Sequence, residues 1–245
     1  MIIGSVASIW RYPVKSMAGE SLRSSSIGKL GIPGDRGWAL RDEAAGEIRN
    51  GRKLPELLLC SASYLSEPGE DEIPPVEILL PDGSRVRSDA REASDVLSRL
   101  LGREVTIWPR RPADDLDHYR RGRPDHADPE QEIRQIMNRL PDEPLPDFSL
   151  YSREMAGFAC PPGTYFDAFP LHVLTTASLG WLEELQPDAD GDPRRFRPNV
   201  VIETAGDARG PVEADWCGRE LRIGETRLAV EIPTVRCAIP GRAHA

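Results

Sequence analysis

The sequence predicts a mainly β protein with some helix, an α+β chain built on barrel-like or sandwich-like sheets. Short alternating or β-branched segments recur along the chain, Gly and Pro turn signals separate them, and few stretches carry a helical period. The first predicted strand runs from Val6 to Tyr12, where Val6, Ser8, Trp10 and Tyr12 alternate with Ala7, Ile9 and Arg11 until Pro13 ends the run. Further strands are predicted at Ser25 to Leu30, Arg36 to Leu40, Val76 to Leu80, Ser84 to Arg87 and Val105 to Trp108. Gly31-Ile32-Pro33-Gly34 and Asp82-Gly83 supply turns among them.

A helix interrupts these strands. Ser88 or Asp89 is its expected cap, Val96, Leu97, Leu100 and Leu101 share one face, and Gly102 stands where a left-handed C-terminal residue is favoured. From Pro109 to Asp147 the chain is rich in proline, aspartate and arginine, with one helix predicted over Pro129 to Leu140 carrying Ile133, Ile136, Met137 and Leu140 on one face. This composition places the division of the chain: a first domain over 1–110, an irregular connector over 111–147 and a second domain over 148–245. In the second domain an apolar run covers Phe166 to Leu174, and a helix over Ser178 to Leu185 is expected to bury Leu179, Leu182 and Leu185. Strands follow at Asn199 to Glu203, Glu220 to Ile223 and Thr226 to Ile232, the last two joined by a Gly224-Glu225 hairpin link.

Composition narrows the function classes. The 245 residues, 39% hydrophobic and 29% charged, are sufficient for one large or two modest domains. With 31 basic against 40 acidic residues the net charge is −9, which argues against general nucleic-acid or anionic-membrane binding and requires a local basic pocket for any anionic ligand. Cys60, Cys160, Cys217 and Cys237 are widely spaced without a C-x-x-C pair, a pattern of reduced thiols. The segment Met1 to Tyr12 lacks a basic start and a long apolar run, and no segment approaches a membrane span, so a cytoplasmic protein is expected.

Cys237 is the candidate reactive residue. It closes Pro233-Thr234-Val235-Arg236-Cys237, and thiolate is the form that ligates a metal or attacks an electrophile; Arg236 and Arg197 are the cations expected to favour it. Other motifs place cations and hydroxyls at the ends of elements. Tyr12-Pro13-Val14-Lys15-Ser16 follows the first strand, Gly34-Asp35-Arg36-Gly37-Trp38 opens a later one, Leu174-Thr175-Thr176-Ala177-Ser178 precedes a helix, and Phe196-Arg197-Pro198-Asn199 precedes a strand. Hydroxyls and free amides at a helix start, joined by arginine's fork of donors, suit a phosphate group. Each motif alone is also compatible with a helix cap or a surface ion pair.

In this order, Y-P-V-K-S, G-D-R-x-W, L-T-T-A-S, F-R-P-N and P-T-V-R-C resemble the MOSC family with its N-terminal β-barrel domain. That family includes amidoxime-reducing proteins of mitochondria, bacterial relatives that reduce N-hydroxylated compounds, and the sulfurase domain that supplies sulfur to the molybdenum cofactor. The resemblance implies two β-barrel-like domains with a molybdenum cofactor (molybdopterin) between them and Cys237 as molybdenum ligand. It implies further that Arg197 and Asn199 contact the pterin and its phosphate, that Thr175 and Ser178 add hydroxyl donors, that Arg236 belongs to the same pocket, and that Lys15, Ser16 and Arg36 approach from the first domain. Asp167 and Asp215 also fall where the family carries similar residues, with a plain turn role equally open.

The implied activity is reduction of small N-oxygenated substrates. The alternative is sulfur transfer or carbon-sulfur bond chemistry through a Cys237 persulfide without molybdenum. The chain has neither a cysteine cluster for iron and sulfur nor a G-x-G-x-x-G fingerprint, so a reductase of this kind needs a separate electron-donor protein, ferredoxin-like or cytochrome-like. His118, His126, His172 and His244 show no ligand spacing and are assigned no metal.

Overall fold

The computed structural model describes residues 2–149, 151, 156–188 and 190–245. It is mostly sheet with four α-helices among the described residues. Twelve strands are formed: β1 (Gly4–Arg11), β2 (Glu20–Leu22), β3 (Trp38–Asp42), β4 (Glu47–Ile48), β5 (Ser61–Tyr64), β6 (Val76–Leu79), β7 (Arg85–Arg87), β8 (Val105–Pro109), β9 (Val173–Thr175), β10 (Val200–Thr204), β11 (Glu220–Ile223) and β12 (Thr226–Ala229). The helices are α1 (Ala93–Leu101), α2 (Leu116–Tyr119), α3 (Pro129–Met137) and α4 (Thr176–Leu185).

The strands form four sheets, ordered β2-β1-β10-β9, β4-β3-β8, β5-β6-β7 and β11-β12, with no closed ring of strands among the described residues. In the first half of the chain α1 packs against β8. Leu40, Ala62, Ile78, Val86, Leu97 and Val105, from five strands and the helix, meet in one buried core with Val14 and Met17. A second cluster joins Ala39 and Ile48 to Tyr119, Cys160 and Tyr165, and so fastens the connector to both halves. The four-stranded sheet draws on both ends of the chain. Strand β1 pairs antiparallel with β10, from Gly4 opposite Thr204 to Ile9 opposite Val200, with a bulge between Val6 and Ser8.

Several expectations are corrected. Ser25 to Leu30 is not a strand: its serine-rich sequence offers little apolar surface to bury, and it runs into a tight turn in which Gly28 and Gly31 exchange backbone hydrogen bonds at 2.9 and 3.1 Å. Neither Ser88 nor Asp89 caps α1. Ser88 accepts the Val76 amide at 3.0 Å and Asp89 pairs with Arg87 at 2.7 Å, while Glu92 takes the cap position without a side-chain bond. Gly102 ends α1 in the left-handed region at φ 62°, as its position predicts.

Helix α3 stops at Met137, where Asn138 turns left-handed, so Leu140 lies beyond it and is 64% exposed. In α4 the buried residue is Ala177, and Leu185 is exposed at the helix end instead of facing a core. The predicted hairpin forms, with Ile223 opposite Thr226 across Gly224-Glu225. Strands β2, β4 and β5 carry no sequence prediction; each has four residues or fewer, too short for an alternation to register.

Candidate functional site

Four non-glycine residues have positive φ among the described residues, and three of them, Ser16 (71°), Arg36 (49°) and Arg197 (55°), are sequence-predicted site residues. A left-handed backbone at a side-chain-bearing residue costs energy and persists where the surroundings fix it. Each has such surroundings. Ser16 Oγ accepts the Gly51 amide at 2.8 Å, Arg36 N–H donates to the Tyr12 carbonyl at 2.7 Å, and Arg197 ends a short 3₁₀ helix, Pro193–Phe196.

These turns bring side chains of both halves together. Lys15, 5% exposed, donates through Nζ to the Tyr165 carbonyl and to Asp167 Oδ1, both at 2.7 Å. Arg36 pairs with buried Asp35 and donates to Asn199 Oδ1 at 3.2 Å and to the Arg197 carbonyl at 3.1 Å. The Arg36 and Arg197 guanidinium carbons lie 4.8 and 4.3 Å from the centre of the buried Tyr12 ring. Arg197 Nη1 donates to the Met17 carbonyl at 2.5 Å. Its Nη2, like the Tyr12 hydroxyl, is buried with no hydrogen-bond partner among the described residues. Burial, reinforced by Arg36, pushes the Arg197 guanidinium down to about 10, while burial pushes the Tyr12 phenol up to about 12.

Asn199, 1% exposed, joins this group to the last strand of the site: its Oδ1 accepts the His172 amide at 3.1 Å and its Nδ2 donates to the Trp10 carbonyl at 3.2 Å. His172 Nε2 lies 3.4 Å from Arg236 Nη1, and the Arg236 guanidinium rests 5.2 Å from the centre of the Phe196 ring. Burial, with Arg236 and Arg36 nearby, lowers His172 to about 3. Burial also lowers Arg236, opposed by the charges of Glu213 and Cys237.

Cys237 itself is half-buried, and Arg52 is kept protonated chiefly by Asp167, with Cys237 adding to the effect. Arg52 was not expected from the sequence. Its Nη2 is 3.4 Å from Asp167 Oδ1, and Asn50 Oδ1 holds its backbone amide at 3.0 Å and its Nε at 3.2 Å. Desolvation opposes ionisation of Asp167, but Arg52 and Lys15 outweigh it and hold the carboxyl far below the usual carboxylate range. One signal was available: Gly51-Arg52 is a cation beside a turn-forming residue after a strand, the feature that singled out Lys15 and Arg36. Arg197, expected beside the cysteine, points instead to Tyr12 and Met17.

Thr175 and Ser178 sit elsewhere in the site. Thr175 Oγ1 caps α4 by accepting the Ser178 amide at 3.1 Å and donates to Glu213 at 2.8 Å; Ser178 Oγ donates to the same carboxylate at 2.7 Å. The Thr175 amide completes the set at 3.3 Å. The anion expected at this helix start is therefore Glu213, which lies too far along the chain for a motif to link it to them. Asp215, in the same 3₁₀ helix, Val212–Trp216, is exposed.

The remaining thiols differ. Burial pushes both Cys60 and Cys160 up to about 11, so they stay protonated. Among the described residues no three His, Cys, Asp or Glu side chains converge as metal ligands.

Strained turns and cations from two β-rich halves thus meet at one junction. The chain belongs to the MOSC family: residues 3–104 match the MOSC N-terminal beta barrel domain and residues 162–245 match the MOSC domain. Among individual proteins it is similar to mitochondrial amidoxime reducing component 2 of Rattus norvegicus, 26% identical over 97% of this chain and 66% of that protein. It is also similar to the Bos taurus protein of the same name, 31% identical over 43% of this chain and 34% of that protein. The chain spans less than two thirds of the length of these curated relatives.

Proposed function

We propose that the chain holds a molybdenum cofactor between its two halves and reduces small N-hydroxylated compounds, with Cys237 as the protein ligand to molybdenum. The observation that carries this reading is the set of cations from both halves, Lys15, Arg36, Arg52, Arg197 and Arg236, tied to one another through Asp167, Asn199 and His172, with Arg236 preceding Cys237 in the chain. It includes a buried arginine nitrogen without a partner among the described residues. This donor set fits a phosphate-bearing pterin, and a thiolate fits a soft-ligand metal centre.

In this reading Lys15, Ser16, Arg36, Arg197 and Asn199 hold the cofactor's polar end. Thr175 and Ser178 act through the turn that Glu213 braces, since their hydroxyls are already committed to it. Arg236 and Arg52 flank the cysteine, and Asp167, kept ionised, fixes Lys15 and Arg52 in place. When bound, the cofactor would supply a two-electron couple for reductive cleavage of an N–O bond. In the overall change an N-hydroxyl group takes up two electrons and two protons, its N–O bond breaks, and the products are the N–H compound and water. The electrons come from a separate donor protein.

The test is metal and pterin analysis of protein made in a host that synthesises the cofactor. About one molybdenum per chain is expected, and near-zero loading under conditions that load a known member overturns the reading. With reduced viologen as electron source, Cys237→Ser abolishes reduction of an N-hydroxylated amidine and Cys60→Ser leaves it intact. A sulfur atom added at Cys237 by a sulfur donor in metal-free protein would transfer support to the persulfide alternative.

A further inference from the structure

The arginines of the connector are not used by the site above. Arg120, Arg121 and Arg123 line an open groove of about 580 Å³ together with Arg41 of β3 and Asp117 of α2. On a chain of net charge −9, this groove gathers four guanidiniums and one lining carboxylate. Arg41 is neutralised by Glu43, and Arg120 is paired with Asp117 at 3.1 Å, both partners being well exposed at 62% and 91%. Arg123 is exposed.

The groove is built into the fold. Arg121 donates to the carbonyls of Ala156 and Phe158 at 3.0 and 2.7 Å, and its amide donates to the Gly157 carbonyl at 2.9 Å. The next turn is pinned from the other side, where buried Arg49 grips Asp125 at 2.6 and 2.8 Å. Gly122 fits so closely that a Cβ would stand 2.6 Å from the Ala45 carbonyl and 2.8 Å from Glu47.

The groove also adjoins the site. The Gly122 amide donates to Glu47 Oε2 at 2.9 Å, and Glu47 lies 3.9 Å from Lys53, the neighbour of Arg52, which itself meets Asp167 at 3.4 Å. A macromolecule seated in the groove would therefore rest on the β3-β4 hairpin whose continuation, Asn50-Gly51-Arg52, meets Ser16 and Asp167 of the site.

We propose that this arginine groove is the docking surface for an acidic protein that delivers electrons to the site, an inference that rests on the reductase reading. Local positive charge on an otherwise acidic molecule orients such a partner and keeps its acidic face from meeting the rest of the surface. The test is titration of the full chain with two acidic probes, a plant-type [2Fe–2S] ferredoxin and poly-L-glutamate, at about 20 and about 200 mM NaCl.

Binding of both probes is expected at low salt. Kd rises at least about tenfold in Arg120→Glu/Arg123→Glu and on adding salt, and stays within about twofold in Arg209→Glu, a control at another exposed arginine. No binding of either probe at low salt, an unchanged Kd in the double variant, or an equal loss in the control overturns the proposal. Complete displacement of the ferredoxin by inorganic pyrophosphate does so as well, because the groove would then be a small-anion site. Association is read without turnover, so failure of the molybdenum chemistry would leave this result standing, and failure of docking would leave the cofactor analysis untouched.

Discussion

His172 shows how the site sets a single proton. Its Nε2 faces the Arg236 guanidinium at 3.4 Å, and burial with Arg236 and Arg36 nearby holds its folded-state value at about 3, against about 6.5 in an unfolded chain. The imidazole is therefore neutral in the folded protein at neutral pH. As pH falls below about 6.5 the unfolded chain takes up a proton that the folded one refuses until about pH 3, so this group's stability contribution is full above that window and is lost through it. Urea unfolding at pH 7.5 and pH 5 should show that His172→Gln loses about 2 kcal/mol less stability between the two than the parent chain. At this scale the sequence identified Lys15, Arg36, Arg197 and Asn199, because each follows a recognisable turn. It did not give His172 a role, because the residues it meets, Asn199 and Arg236, are distant in sequence, and it passed over Arg52 although Gly51-Arg52 carries the same turn signal.

At the scale of elements, the start of α4 is the clearest departure. The Thr175-to-Ser178 turn reads from sequence as an anion site, and an anion is bound there, but it is the carboxylate of Glu213 from the 3₁₀ helix Val212–Trp216. Glu213→Gln removes the charge that faces Arg236 and part of the acceptor capacity for three donors, an expected loss of about 1–3 kcal/mol in denaturant unfolding. A midpoint unchanged in the variant would mean that the turn stands without this brace. Long alternating or helical segments such as β1, β8 and α1 were legible because their periodicity reflects the faces they bury. The two- to four-residue strands β2, β4 and β5 were not, because pairing partners rather than local pattern define them.

The whole molecule is held together across its site. Lys15 with Asp167, Arg36 with Asn199, Arg197 with the Met17 carbonyl, and Arg242 with the Gly51 carbonyl at 2.6 Å all join residues far apart in the chain. One unfolding transition is therefore expected in calorimetry of the metal-free chain, with van't Hoff and calorimetric enthalpies that agree. Two separate transitions would show that the halves melt independently. No local signal in the sequence reveals that β1 belongs beside β10. That pairing sets the order of events at birth. Strand β1 leaves the ribosome well before its partner, and its long edge must wait for nearly two hundred further residues before β10 arrives. At about 5–20 residues per second this is a delay of about ten seconds or more, during which only the short β2 can cover a neighbouring edge. Such non-local closure is slow and leaves the nascent chain open to mispairing, so the strand that leads into the Lys15-Ser16 turn depends on protection during synthesis.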